Sequence, residues 1–204
     1  MFRLGQGDSF EADCAGIEVR EIGICAVHGA IMTVRSVVMF PDPRLRKVAE
    51  PVTVFGEEIR SLATDLLDTV RASGGIGITA PHIGVEKRLV VLDLWDGAEV
   101  RTYANPRIVW ASPEPTRYAE GSISMPGIKE EVERHARVRV DYQDLDGVER
   151  SEEADGLLAI CHQHEIDQLN GIFWIYRLSR LKRERLVKRY EKLRPGATVP
   201  GGQL

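Results

Sequence analysis

The 204-residue sequence has little cysteine, and none in a paired spacing. Cys14, Cys25 and Cys161 stand far apart, which argues against a disulfide framework or a zinc knuckle. A reducing, cytoplasmic setting is expected. An excess of cations is also missing. The formal net charge is −4, so the chain as a whole carries no nucleic-acid signature and any basic patch must be local. Long apolar runs are absent as well. Stretches such as Leu89 to Leu92 fall far short of a bilayer span, so no membrane partner is expected. A secretory leader needs a basic start, and the first ten residues carry only Arg3, while Glu18 and Glu21 stand just before the apolar stretch Ile22 to Ile31.

What is present suits one globular domain. With 43% hydrophobic residues, a chain of this length can bury a real core but leaves little room for a second one. Residues 1–31 read as an N-terminal extension, either a disordered tail or an over-long gene start, since Met32-Thr33-Val34-Arg35 makes a plausible beginning. The domain is expected over 32–194, with a flexible tail at 195–204.

Val37 to Pro43 reads as a short strand entering a turn. Ile59, Leu62, Ala63, Leu66, Leu67 and Val70 share one face at a period near 3.6, which predicts a helix over about Phe55 to Ala72. Gly74-Gly75-Ile76-Gly77 ends it. Leu89 to Leu92 suits a buried strand. Thr102 to Trp110 holds Asn105-Pro106 and reads as two short strands around a turn. Val138, Val140 and Tyr142 alternate, and Asp146-Gly147 supplies a hairpin turn. A mostly buried helix is predicted from Asp155, as N-cap, to Leu169, stopped by Asn170-Gly171. A last helix over Ser179 to Leu193 places Leu181, Leu186, Tyr190 and Leu193 on one stripe. This order implies an α+β fold with a mixed or antiparallel sheet.

The buried helix carries His164-Glu165-Ile166-Asp167-Gln168. Positions 164 and 168 are i and i+4, so both side chains leave one face. Histidine at 168 would make this a zincin-like metal helix with the glutamate as general base. Glutamine offers only a weak, neutral amide oxygen. From the helix alone, a core histidine remains the plainer interpretation.

The surroundings resemble the peptide deformylase family from about Met32 to Leu193. The resemblance opens at Pro41-Asp42-Pro43-Arg44-Leu45-Arg46-Lys47-Val48-Ala49-Glu50-Pro51-Val52 and continues through three motifs. Gly75-Ile76-Gly77-Ile78-Thr79-Ala80-Pro81-His82 stands where the family has Gly-x-Gly-Leu-Ala-Ala-x-Gln. Glu120-Gly121-Ser122-Ile123-Ser124 stands for Glu-Gly-Cys-Leu-Ser. His164 to Gln168 stands for His-Glu-x-x-His. The resemblance implies short-stranded sheets around a central buried helix, with a C-terminal helix, and a monomer.

It also implies a function. The family uses an Fe2+ or Zn2+ ion to hydrolyse the formyl group from the N-terminal formyl-methionine of nascent proteins. Carried over, His164 is a metal ligand, Ser122 and Gln168 occupy the other two ligand positions as weak donors, and Glu165 moves the proton. His82 takes the place of the glutamine that stabilises the formyl oxygen, either as a replacement donor or as a tolerated change. Glu120 and Gly121 look structural, and Cys161 is expected to be a buried thiol. His162 falls on another helix face and is expected to be partly exposed. Gly77 and Ile123 would bind an extended peptide through their backbones. Ile78, Ile128 and Ile160 would wall a methionine pocket, with Lys129 and Arg134 near the groove.

Three departures at the reacting centre point to a peptide deformylase homologue with impaired or absent deformylase activity. One alternative is a non-catalytic binder of formylated nascent peptide or of the ribosome. From Arg177 to Arg194 there are nine Lys or Arg and two acids, a local charge of +7, which suits either a solvated face or ribosomal RNA. Another alternative is a rebuilt hydrolase in which His82 and His164 share a zinc.

Overall fold

The computed structural model describes residues 24–27, 30–94 and 99–193, with backbone alone for 24–27 and 30–32. Strands β1 (Ile24–Val27) and β2 (Ala30–Thr33) pair antiparallel. The expected domain start at residue 32 therefore falls inside β2. The rest of the 1–31 extension, and the 195–204 tail, lie outside the described residues.

The segment Val37 to Pro43 is not a ladder strand. It runs as a strap across two motif loops: Val38 N–H donates to His82 O at 2.7 Å and Phe40 N–H to Ser124 O at 2.9 Å. These two donors are satisfied by turns rather than by a neighbouring strand, so hydrophobicity alone gave the wrong element. A 3-10 turn follows at Pro43–Arg46, where Asp42 accepts the Arg44 N–H at 2.9 Å.

Helix α1 (Glu57–Ala72) buries Ile59, Ala63, Leu66 and Val70. These pack with Ile78, Leu89 and Val91 from β3 (Gly77–Thr79) and β4 (Leu89–Leu92). The remaining strands are β5 (Arg101–Ala111), β6 (Pro115–Gly121), β7 (Lys129–His135), β8 (Arg137–Gln143) and β9 (Glu149–Asp155). The main sheet is antiparallel in the order β3-β4-β5-β8-β9, and β6 with β7 forms a separate hairpin. Where two short strands were expected, β5 is one strand with register shifts against β8. Asn105 explains this. It takes φ 52 within the strand, and its side-chain amide exchanges two 2.8 Å bonds with the Val52 backbone. Asparagine tolerates that conformation and supplies its own hydrogen-bonding pair, so the bend does not end the strand.

Helix α2 (Gly156–Leu169) lies at the centre, packed on both the main sheet and β7. Asp155 is its N-cap but makes no capping bond through its side chain. Its stop is firmer. Gly171 has φ 74, and a Cβ there would fall 2.5 Å from Arg46 O, so only glycine lets the chain turn away here. Helix α3 (Arg180–Leu193) buries Leu186 and Tyr190 against a cluster that includes Met125, Phe173 and Trp174. Leu181 and Leu193 are exposed, so the expected stripe is shorter than drawn: the helix meets the core through its middle.

Candidate functional site

One cleft gathers the motif residues. It has a volume of about 450 Å³ and runs between the Gly75–Gly77 loop, the β6–β7 hairpin and the first three turns of α2. His82, Ser122, His164 and Glu165 line it, together with Gly77, Ile123 and Lys129. Ile128 and Ile160 wall it as expected. Ile78 does not. Strand alternation turns Gly77 to the cleft and Ile78 to the core against α1. Gln168 is not part of the lining either.

Gly77 allows a close approach. A Cβ at this position would meet Glu165 Oε1 at 2.5 Å and Leu92 Cδ2 at 2.9 Å. The α2 carboxylate can therefore sit against the β3 backbone only because residue 77 has no side chain.

His164 is held from behind. Its Nδ1 lies 2.8 Å from Glu120 Oε2. Arg134 grips both Glu120 oxygens, at 2.8 and 2.9 Å, and also reaches Asp167, which pairs in turn with Arg177. Glu120 and Arg134 have side chains only 3% exposed. Burial works against charge on Glu120, but Arg134 and His164 outweigh it and hold the carboxyl down to about 2. Burial also opposes charge on His164, and the Glu120 contact together with the charges of Glu165 and Glu120 raises its pKa above the ordinary value. Because Glu120 is ionised it accepts, so Nδ1 carries a hydrogen and the other ring nitrogen makes no bond to Glu120.

The opposite wall is less satisfied. Burial pushes Glu165 up to about 7, with the His164 charge pulling the other way, and its Oε2 is buried without a partner. His82 is buried and neutral: desolvation first, then the charge of His164, pull its pKa down to about 3. The Thr79 backbone N–H donates to His82 Nδ1 at 3.0 Å. A backbone amide can only donate, so Nδ1 is the acceptor and Nε2 must bear the ring hydrogen. That Nε2–H is buried with no partner.

Cys161 is buried, and desolvation pushes its thiol up to about 12, so it is not a thiolate at neutral pH. His162 is a correction: it is buried, with Nε2 2.6 Å from Glu152 Oε1 and its ring edge-on to Tyr103. Arg134 is another. It lies beneath the site and not on the groove, because it shares the inward face of β7 with Val132. An arginine in register with a core valine was the signal for a buried ion pair, and Glu120 and Asp167 were its missed partners.

A model of the polypeptide deformylase family matches residues 34–184. The chain belongs to that family. A peptide deformylase-like protein of Brucella melitensis biotype 1 is 68% identical over 162 residues, covering 79% of this chain and 99% of the relative. A peptide deformylase of Methylocella silvestris is 48% identical over 167 residues, covering 79% of this chain and 85% of the relative. Among solved structures, a peptide deformylase from Legionella pneumophila superposes with TM-score 0.75 at 38% identity, over 78% of this chain and 95% of that one. The fold is the deformylase fold, and the deformylase family is metal-dependent.

Against the family's three ligand positions the geometry is as follows. His164 lines the cleft. Ser122 Oγ accepts the Ser124 N–H at 3.2 Å. Gln168 donates its amide nitrogen to Leu45 O at 2.8 Å and does not line the cleft. Among the described residues, no three His, Cys, Asp or Glu side chains are grouped so as to hold a metal ion.

Proposed function

We propose that this deformylase-family chain keeps the peptide-end cleft and has given up ordinary metal-dependent deformylation. The observation that carries this is the Gln168 amide: its nitrogen is engaged as a donor to Leu45 O, where the family needs an imidazole lone pair. With Ser122 a neutral hydroxyl, one imidazole nitrogen remains as a good donor atom. The residues present do not fit a resident Fe2+ or Zn2+ ion, since thiolate and imidazole supply most of the affinity for such ions. The alternative of a rebuilt zinc site is opposed by the His82 tautomer. A ring nitrogen that bears a hydrogen has no lone pair for a metal.

The same tautomer suits binding. His82 Nε2–H is an unpaired donor at the wall of a cleft whose other side is hydrophobic, and a formyl or other carbonyl oxygen would complete it. An N-formyl-methionyl peptide end is the expected ligand, with Gly77 and Ile123 meeting its backbone, methionine against Ile128 and Ile160, and Lys129 at the rim. Helix α3 supplies a docking face for the ribosome in the cytoplasm: Arg185, Lys188, Arg189 and Lys192 are exposed along it.

The test is metal analysis of protein purified without oxygen, alongside hydrolysis and calorimetric binding of a formyl-Met peptide. Well under one ion per chain, binding and no hydrolysis are expected. A tightly held stoichiometric ion, or turnover at the rate of an active deformylase, would overturn the reading. Ribosome co-sedimentation should fall steeply with salt; its absence at low salt removes the α3 partner.

A further inference from the structure

With no ion between them, the side chains at the reacting face make a different arrangement. Ser122 follows Glu120 by two residues, just past the end of β6, in a turn closed by Met125 N–H to Ser122 O at 2.9 Å. Its Oγ accepts the Ser124 N–H, which uses a lone pair and leaves the hydroxyl hydrogen without an acceptor among the described residues. His164 lines the same cleft, with Nδ1–H donating to Glu120 Oε2 at 2.8 Å. Glu120 cannot turn away, because Arg134 holds both of its oxygens. A hydroxyl, an imidazole that can take its proton, and a buried carboxylate that fixes the imidazole are the three parts of an acyl-transfer triad, which is recognised by roles and geometry rather than by sequence order. The fourth part, a donor for the developing oxyanion, is present as the unpaired His82 Nε2–H.

We propose that Ser122, His164 and Glu120 form a metal-independent triad that hydrolyses short-chain acyl esters. The inference rests on the reading that no ion bridges Ser122 and His164. In the structure Ser122 bonds Ser124 and His164 bonds Glu120, with no hydrogen bond joining Ser122 to His164; when an ester enters and His164 is in its neutral form, the Ser122 hydroxyl turns to Nε2, since such contacts commonly tighten only in the complex. The Oγ–carbon bond forms as the proton passes to Nε2, and His82 Nε2–H meets the oxyanion. The tetrahedral intermediate collapses, the ester C–O bond breaks, and the alcohol leaves with the proton from His164. Water then attacks the acyl-serine carbon, giving its proton to Nε2. Collapse breaks the Oγ–carbon bond, returns that proton to Ser122 and frees the carboxylic acid. Esters suit the site because an alkoxide is a far weaker base, and so a far better leaving group, than the nitrogen anion of an amide. A cleft of about 450 Å³ walled by Ile123, Ile128 and Ile160 takes a short acyl chain.

The experiment uses the full chain, a fluorophosphonate probe and peptide mass mapping, with and without chelator. Ser122 Oγ should displace fluoride from phosphorus and carry the phosphonyl group equally in both conditions. Ser122→Ala should lose the label. His164→Gln should slow labelling by about 100-fold or more. Glu120 is a positioning residue, so Glu120→Gln should lower the maximal labelling rate and leave the half-saturating probe concentration unchanged, a split that loss of structure alone would not give. Should that variant fail to fold, burst kinetics of p-nitrophenyl acetate on the parent chain and on Ser122→Ala carry the same test. No Ser122 label on folded protein, or a rate indifferent to His164→Gln, overturns the triad. Formyl-peptide binding by metal-free protein that shows no label would sink the triad alone. An analysed ion whose removal changes the label would sink the reading beneath it.

Discussion

The two sides of His164 differ in one respect: how completely their polar atoms are paired. Behind it, Arg134, Glu120, Asp167 and Arg177 form a buried ionic network in which each partner is held by another. In front of it, His82 Nε2 and Glu165 Oε2, both on residues that line the cleft, are buried without partners. Folded proteins rarely leave such atoms unpaired. The contrast separates a part of the molecule that sets geometry from a part that waits for ligand atoms.

The largest effect should come from breaking the rear side. Arg134→Ala leaves Glu120 buried with no guanidinium and Asp167 with one partner fewer. A loss of ~3–5 kcal/mol is expected from urea unfolding, because an uncompensated buried charge is left behind. Next comes the contact between the two sides. Gly77→Ala drives a methyl into Glu165 Oε1 and Leu92, so a loss of ~1–3 kcal/mol is expected, with peptide binding falling further than stability does.

Gln168→Leu should cost about 1 kcal/mol by removing the bond to Leu45 O, and should leave cleft binding unchanged, since Gln168 does not line the cleft. The smallest effect belongs to His82 and depends on pH. The unfolded chain protonates this imidazole near its ordinary 6.5, whereas the folded chain resists until about 3. The contribution is therefore complete above pH 6.5 and is lost progressively as pH falls toward 3. His82→Gln should flatten the acid limb of the stability profile, by about 1 kcal/mol at pH 5.5 relative to pH 7.5. An unchanged limb would mean that the ring is already solvated.

Much of the fold was legible because its signals are local. The α1 stripe, the Leu89 to Leu92 strand, the Asp146-Gly147 turn and the Asn170-Gly171 stop each depend on a few neighbouring residues. The β6–β7 hairpin was not legible. In Lys129–His135 only Val132 and Arg134 are buried, so the strand offers almost no apolar alternation to detect. The extended strap at Val37 to Pro43 was misassigned for the opposite reason: its residues suit a strand, but its partners are loops distant in sequence. At the site, the resemblance to the family's motifs pointed to His164, Glu165, His82 and Ser122, and the structure gathers them in one cleft. The motifs could not show that Gln168 and Ile78 stay out of the cleft lining, because that depends on which side of α2 and β3 meets the core. Nor could they fix the His82 tautomer, which is decided by a backbone amide three residues earlier.

The Gln168–Leu45 bond has a consequence for the history open to this chain. Histidine at 168 would have to hold this fastening between α2 and the Pro43–Arg46 turn with one ring nitrogen while offering the other to an ion, and a gain in metal affinity would still wait for a thiolate at 122. Each reversal taken singly is unrewarded. A fastening of this kind behaves as a ratchet: the route back to an ion-gripping pocket requires two simultaneous changes, while drift onward requires one.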